Sequence, residues 1–205
     1  MTKAKLIIYD SLPLMPTLKT DNAYVKNKID SIKNTDRRNL SILAYNLLNE
    51  MLYEHTSTTL NDCNINENAH GKPYFTNSGI HFNISHSYNA VMCAVSDSQT
   101  GVDVERIGEI KPLILKKCFS ADEAALISSN TDFYMLWTLK ESYVKALGEG
   151  ISKRLYEVNF KLDKSIFCVD NGISADRRFY SSEAYGYAFS ICSADQSIDF
   201  EVKKV

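Results

Sequence analysis

Two short segments together carry three carboxylates in a pattern that could hold a cation. In Gly101-Val102-Asp103-Val104-Glu105, β-branched residues alternate with acids. On the two-residue period of a strand, Asp103 and Glu105 share one face and Val102 and Val104 the other. Trp137-Thr138-Leu139-Lys140-Glu141 lies in a helical stretch and adds the third acid with lysines beside it. Acids converging from a strand and a helix repel one another unless a cation sits between them. The chemistry suggested is a hard metal ion holding phosphate oxygens.

Each candidate also has a plainer reading. On an isolated helix, Glu141 and Lys145 form an i,i+4 pair worth about 0.3–0.5 kcal/mol on a solvated face. Trp137 on that same stripe argues against a plain wet face, because an exposed Trp usually covers something. Asp103 and Glu105 could be alternating acids on the wet side of an edge strand. What counts against this is the preceding block, His81-Phe82-Asn83-Ile84-Ser85-His86-Ser87, which ends a strand with hydroxyl, imidazole and hydroxyl. Such groups suit phosphate oxygens. Gly71-Lys72-Pro73 is by itself a turn with an exposed lysine, and Arg38 a solvated charge early in its helix. Ser120-Ala121-Asp122-Glu123 reads as a capping box, which accounts for much of Glu123.

The elements that must position these groups follow from periodicity. Residues 4–9 read as a first strand, and Thr20 to Ile32 as a helix with Val25, Ile29 and Ile32 inward. A stronger helix follows Asn34-Thr35, with Leu40, Leu43, Ala44, Leu47, Leu48, Met51 and Leu52 at helical spacing. A loop-rich link with a short strand near 63–65 comes next, then strands at Ile80–Ser85, Ala90–Ser96 and Gly101–Glu105. Helical material covers about 111–147, and short strands follow near 156–161, 166–170, 177–180, 185–191 and 198–203. Within the last helix, Leu136, Leu139, Tyr143, Ala146 and Leu147 form an apolar stripe opposite Trp137, Thr138, Glu141 and Lys145. Each half thus reads strand, helices, then strands. The expected fold is α+β: two similar α/β subdomains, 1–100 and 101–205, related by a pseudo-twofold, with helices on mostly antiparallel sheets.

Composition narrows the class. A chain of 205 residues has room for one large domain or two small ones. A formal net charge of −2 gives no general attraction to nucleic acid or anionic membrane. No segment approaches the ~20 apolar residues of a membrane helix. Cys63, Cys93, Cys118, Cys168 and Cys192 are dispersed and contain no C-x-x-C pair. That argues against a zinc site or a disulfide framework, and for a cytoplasmic protein.

In order, Gly-Lys-Pro, Asn-Ile-Ser-His-Ser, Gly-Val-Asp-Val-Glu, Phe-Ser-x-x-Glu and Trp-x-x-Lys-Glu-Ser resemble the 4′-phosphopantetheinyl transferases, in their larger, monomeric type. The resemblance runs from about Gly71 to Ser152 and extends weakly to Arg38. It implies transfer of the phosphopantetheine arm of coenzyme A to a serine of an apo acyl or peptidyl carrier protein, with adenosine 3′,5′-bisphosphate leaving. It also implies a Mg²⁺ site (Mn²⁺ substituting) at Asp103, Glu105 and Glu141. Lys145 and His86 would sit on the phosphates, with Ser85 donating a further hydrogen bond. Arg38 and Lys72 would bind the 3′-phosphate, and Pro73 would line the coenzyme site in the N-terminal subdomain. The catalytic set implied is Glu141, Lys145 and His86; the base is Glu141, Glu123 or a water. Carrier proteins being acidic helical bundles, Lys111, Lys116 and Lys117 near Leu113 and Leu115 form a candidate docking patch. Competing readings are a non-catalytic homologue that binds coenzyme A or a carrier, and a metal-dependent nucleotide pyrophosphate hydrolase.

Overall fold

Strand-forming alternation and two long apolar helices build a mixed architecture, seen in a computed structural model that describes residues 1–76, 78–150, 155–162, 166–170 and 173–205. One sheet has the order β12-β1-β5-β4, made of Ile198–Lys204, Thr2–Ile8, Ala90–Ser96 and His81–Ser87. A second has the order β10-β11-β6, made of Arg178–Ala184, Tyr187–Ser193 and Thr100–Arg106. Two small sheets complete the set, β2 (Ile65–Glu67) with β3 (Pro73–Phe75), and β7 (Val158–Leu162), β8 (Ile166–Asp170) and β9 (Ile173–Ser174). Pairing is antiparallel except between β1 and β12, which run parallel with Thr2 opposite Ile198. The α+β class with antiparallel sheets is therefore as expected, and the last strand lies beside the first.

The layers explain the burial. Helix α2 (Thr35–Thr56) covers one face of the first sheet, where Leu40, Leu48 and Met51 meet Phe82, Val91 and Cys93, and helix α1 (Ala23–Ser31) packs on α2. The other face packs on the second sheet through Leu6, Met92, Val102, Val104 and Phe189. Strand β5 is buried at every position because both its faces are covered. On the far side of the second sheet lies α5 (Asn130–Leu147), against β6 and β11.

The helical material at 111–147 divides into three helices, α3 (Pro112–Cys118), α4 (Ala121–Leu126) and α5, interrupted around Phe119 and Ile127. The plainer reading of α5, a solvated polar stripe, does not hold: Thr138, Lys140, Glu141 and Ser142 are buried along with its apolar side. Its buried Thr138 and Lys140 have internal partners, Ser190 and Glu123.

Candidate active site

The free edge of β6 is satisfied in an unusual way. Facing it is β4, whose side chains take the place of a backbone ladder. Asn83 Oδ1 accepts from the Val102 amide at 2.9 Å, Ser85 Oγ from Val104 at 3.4 Å and Ser87 Oγ from Arg106 at 3.2 Å. The same serines then donate to the acids of β6: Ser85 to Asp103 Oδ1 at 2.8 Å, and Ser87 to Glu105 Oε2 at 2.9 Å. Period-two geometry on both strands makes this repeat possible. The hydroxyl proton of Ser85 is directed at Asp103. Ser87, the second hydroxyl at this strand end, takes the matching place beside Glu105.

From the opposite side α5 delivers Glu141 and Lys145. The Lys145 ammonium lies 2.6 Å from Asp103 Oδ1 and 3.1 Å from Ser85 Oγ. Asp103 is only 3% exposed, and its second oxygen, Oδ2, is buried without a hydrogen-bond partner. A buried carboxylate oxygen in that condition costs free energy unless something electropositive meets it.

The electrostatics agree that negative charge is crowded here. Burial pushes the Glu141 carboxyl up to about 7, with repulsion from Asp103 adding to it and Lys145 opposing. Burial and then Asp103 likewise raise Glu105, against the Ser87 hydrogen bond. For Lys145, burial opposes the charge, but Asp103, Glu141 and Glu105 outweigh it and hold its pKa above the ordinary lysine value. Among the described residues, no three His, Cys, Asp or Glu side chains are already closed into a metal cage. The acids interact as a cluster in which the Lys145 ammonium pairs with Asp103.

His86 stands beside this cluster with its pKa lowered by burial, then by the charges of Lys145 and Arg37. The first turn of α2 exposes both Arg37 and Arg38. It is Arg37, which the sequence reading did not single out, whose charge reaches His86. Lys72 departs from its plainer reading as an exposed turn residue. Its ammonium turns inward, donating to Ala146 O at 2.9 Å and Thr100 O at 3.3 Å, and burial lowers its pKa to about 8. Pro73 follows it at the start of β3 and lines a small pocket of about 200 Å³ with Lys72, Asn83, Lys145 and Gly148.

Glu123 is accounted for elsewhere. It closes the capping box of α4, receiving the Ser120 amide at 2.9 Å, and also accepts from the Phe160 amide at 2.9 Å. Its Oε2 meets the Lys140 ammonium at 2.8 Å, and both side chains are almost wholly buried. A carboxylate so saturated has no capacity left for a reacting proton.

The model of the 4′-phosphopantetheinyl transferase superfamily matches residues 99–193, from the start of β6 through β11. The 4′-phosphopantetheinyl transferase Sfp of Bacillus subtilis is 30% identical over 155 residues, covering 70% of this chain and 69% of that protein. The chain belongs to the 4′-phosphopantetheinyl transferase family. A second member of the family, gsp of Aneurinibacillus migulanus, is 38% identical over 117 residues, or 54% of this chain; the match spans about half, 49%, of that relative. A crystal structure of Helicobacter pylori holo-[acyl-carrier-protein] synthase in complex with coenzyme A aligns at 19% identity, covering 45% of this chain and 96% of that one. Its TM-score is 0.40, and a likeness of that size carries no argument about this chain. The family match takes in Asp103, Glu105, Glu141 and Lys145.

Proposed function

We propose that the protein transfers the 4′-phosphopantetheine group of coenzyme A to a serine hydroxyl of an apo acyl or peptidyl carrier protein. The observation that carries this reading is the meeting of the β6 acids with Glu141 and Lys145 of α5 beside His86, in a chain of this family. The serine oxygen forms a bond to the phosphorus that bears the pantetheine arm. The bond from that phosphorus to the bridging oxygen breaks, and adenosine 3′,5′-bisphosphate leaves.

Asp103, Glu105 and Glu141 are the residues that would hold a Mg²⁺ ion, with Mn²⁺ as a substitute. The buried, unpartnered Oδ2 of Asp103 and the mutual repulsion of the acids fit a hard cation. When bound, that ion neutralises charge on the pyrophosphate and on the departing bisphosphate. Lys145 and His86 bind phosphate oxygens. Glu141, brought to the acid cluster by α5, accepts the proton of the attacking serine, directly or through a water. Arg37 and Arg38 offer guanidinium donors to the 3′-phosphate from the α2 N-terminus.

The carrier surface we assign to α3 and the loop before it. Lys111, Lys116 and Lys117 are exposed, α3 buries none of its residues, and Leu113 is 71% exposed. A groove of about 710 Å³ runs from Glu105 past Tyr88, Lys111, Leu113 and Tyr134, so a serine entering along it reaches Glu105 at the edge of the acid cluster. The protein works as a cytoplasmic monomer in this reading, and its five cysteines are all free thiols.

The test is direct. Incubation with coenzyme A, Mg²⁺ and a panel of apo carriers should increase the mass of at least one carrier by the phosphopantetheine group. Release of the bisphosphate without any carrier mass increase would instead make the protein a pyrophosphate hydrolase. No turnover with any carrier would favour a binding homologue.

A further inference from the structure

We propose that Lys72 and Asn68 are positioning residues, which cap α5 from the other half of the chain and so hold Lys145 over Asp103. A helix leaves its last four carbonyls without partners inside the helix. Helix α5 stops at Leu147, followed by Gly148 in the left-handed region at φ 74°. Two of the carbonyls at this end are satisfied from far away in sequence: Asn68 Nδ2 donates to Gly148 O at 2.7 Å and Lys72 Nζ to Ala146 O at 2.9 Å. A cation at a helix C-terminus is further favoured by the helix dipole.

The Lys72 ammonium also donates to Thr100 O, the first residue of β6. One side chain therefore joins the two elements that carry Asp103 and Lys145. The turn is built to deliver it. Asn68 Oδ1 accepts from the amides of His70 at 2.9 Å and Lys72 at 3.0 Å. Fit is close: a Cβ on Gly148 would stand 2.9 Å from Lys72 Cδ and 3.0 Å from Asn68 Nδ2. Next to this anchor on β6, Gly101 lets α5 lie directly on the strand, a Cβ there falling 2.1 Å from Ser142 O. With the helix pressed down and its end capped, the 2.6 Å approach of Lys145 to Asp103 follows.

This inference rests on Lys145 serving the pyrophosphate, and it assigns Lys72 a different task from binding the 3′-phosphate. Lys72→Met keeps the chain length and removes the donors. Amide hydrogen exchange at Ala146–Gly148 should accelerate about tenfold as the last turn frays. Turnover, kcat, should fall about tenfold with coenzyme A and equally with 3′-dephospho-coenzyme A, while KM for each changes little. Asn68→Asp retains the acceptor that shapes the turn and loses the donor to Gly148, so it should shift exchange in the same direction if Lys72→Met fails to fold. A loss confined to coenzyme A and expressed in KM would overturn the proposal in favour of phosphate binding. Unchanged exchange in both variants would overturn it outright. Should the unaltered protein modify no carrier, the transferase reading fails while the exchange data still decide the cap.

Discussion

Replacing Lys140 with methionine tests whether neighbouring residues of one motif have separate jobs. Glu141 points into the acid cluster; Lys140 points the other way and is 0% exposed. Its ammonium meets Glu123 at 2.8 Å, Cys118 O at 2.7 Å, Leu155 O at 2.9 Å and Val158 O, with the Phe119 ring 5.1 Å away. Burial lowers the Lys140 pKa despite Glu123, which says that desolvation is the larger influence on this charge. The pair is thus a joint that orders α4 and β7 against α5 more than a source of net stability.

Lys140→Met leaves the Glu123 carboxylate buried without its cation and the carbonyls of Cys118, Leu155 and Val158 without their donor. Breaking one side of a buried pair costs about 3–5 kcal/mol. For a chain of this size, about 2–4 °C per kcal/mol gives a fall in Tm of roughly 6–20 °C. Glu123→Gln on the same background removes the stranded charge, and the double variant should recover a coupling of about 1–3 kcal/mol. Urea denaturation of the four proteins in the cycle measures this. A Lys140→Met loss below about 1 kcal/mol, or strictly additive variants, would refute the buried joint.

Other outcomes follow from the same geometry. Glu141→Gln should lower kcat by about 10²–10⁴ while coenzyme A affinity by calorimetry stays within a few fold; near-normal turnover removes Glu141 from the base and metal roles. Lys116→Glu with Lys117→Glu should raise the carrier KM about tenfold without altering the KM for coenzyme A, and an unchanged carrier KM rejects the α3 surface. Gly101→Ala places a Cβ 2.1 Å from Ser142 O and 2.4 Å from the Ala146 amide, so α5 must lift, with a loss of about 1–3 kcal/mol in urea denaturation. For pH, the folded state of the metal-free protein holds the Glu141 proton up to about 7, against an ordinary value of 4.5. It therefore binds more protons than the unfolded chain between those values, and stability should decline as pH rises through that window. Glu141→Gln should flatten the decline; an identical slope in both proteins would show that other groups cause it.

How far the sequence disclosed this depends on which force set each feature. The alternation in β6 was legible because strand geometry alone sends Val102 and Val104 to one face and Asp103 to the other, and the burial of those valines between the sheets agrees. The α4 capping box was legible for the same reason: Ser120 and Glu123 interact within one turn. What stayed hidden was set by a second layer. Periodicity gave α5 a polar stripe, but it cannot show that β6 and β11 would cover that stripe and bury Glu141 and Thr138.

Lys72 is the sharpest case of this limit. In the chain it sits in Gly-Lys-Pro, a turn that predicts exposure, and only the folded protein brings Ala146 O and Thr100 O within reach of its ammonium. Ser87 is similar, because its role depends on the Arg106 amide and the Glu105 carboxylate, both on another strand. A long-range partner leaves no local periodicity, so residue type and spacing constrain which groups can react more than which way they face. The acids of β6 need β4 to align them and α5 to supply the charge that balances them. For that reason a substitution at the cap on α5, remote in sequence from every acid, is expected to alter the chemistry as surely as one among the acids themselves.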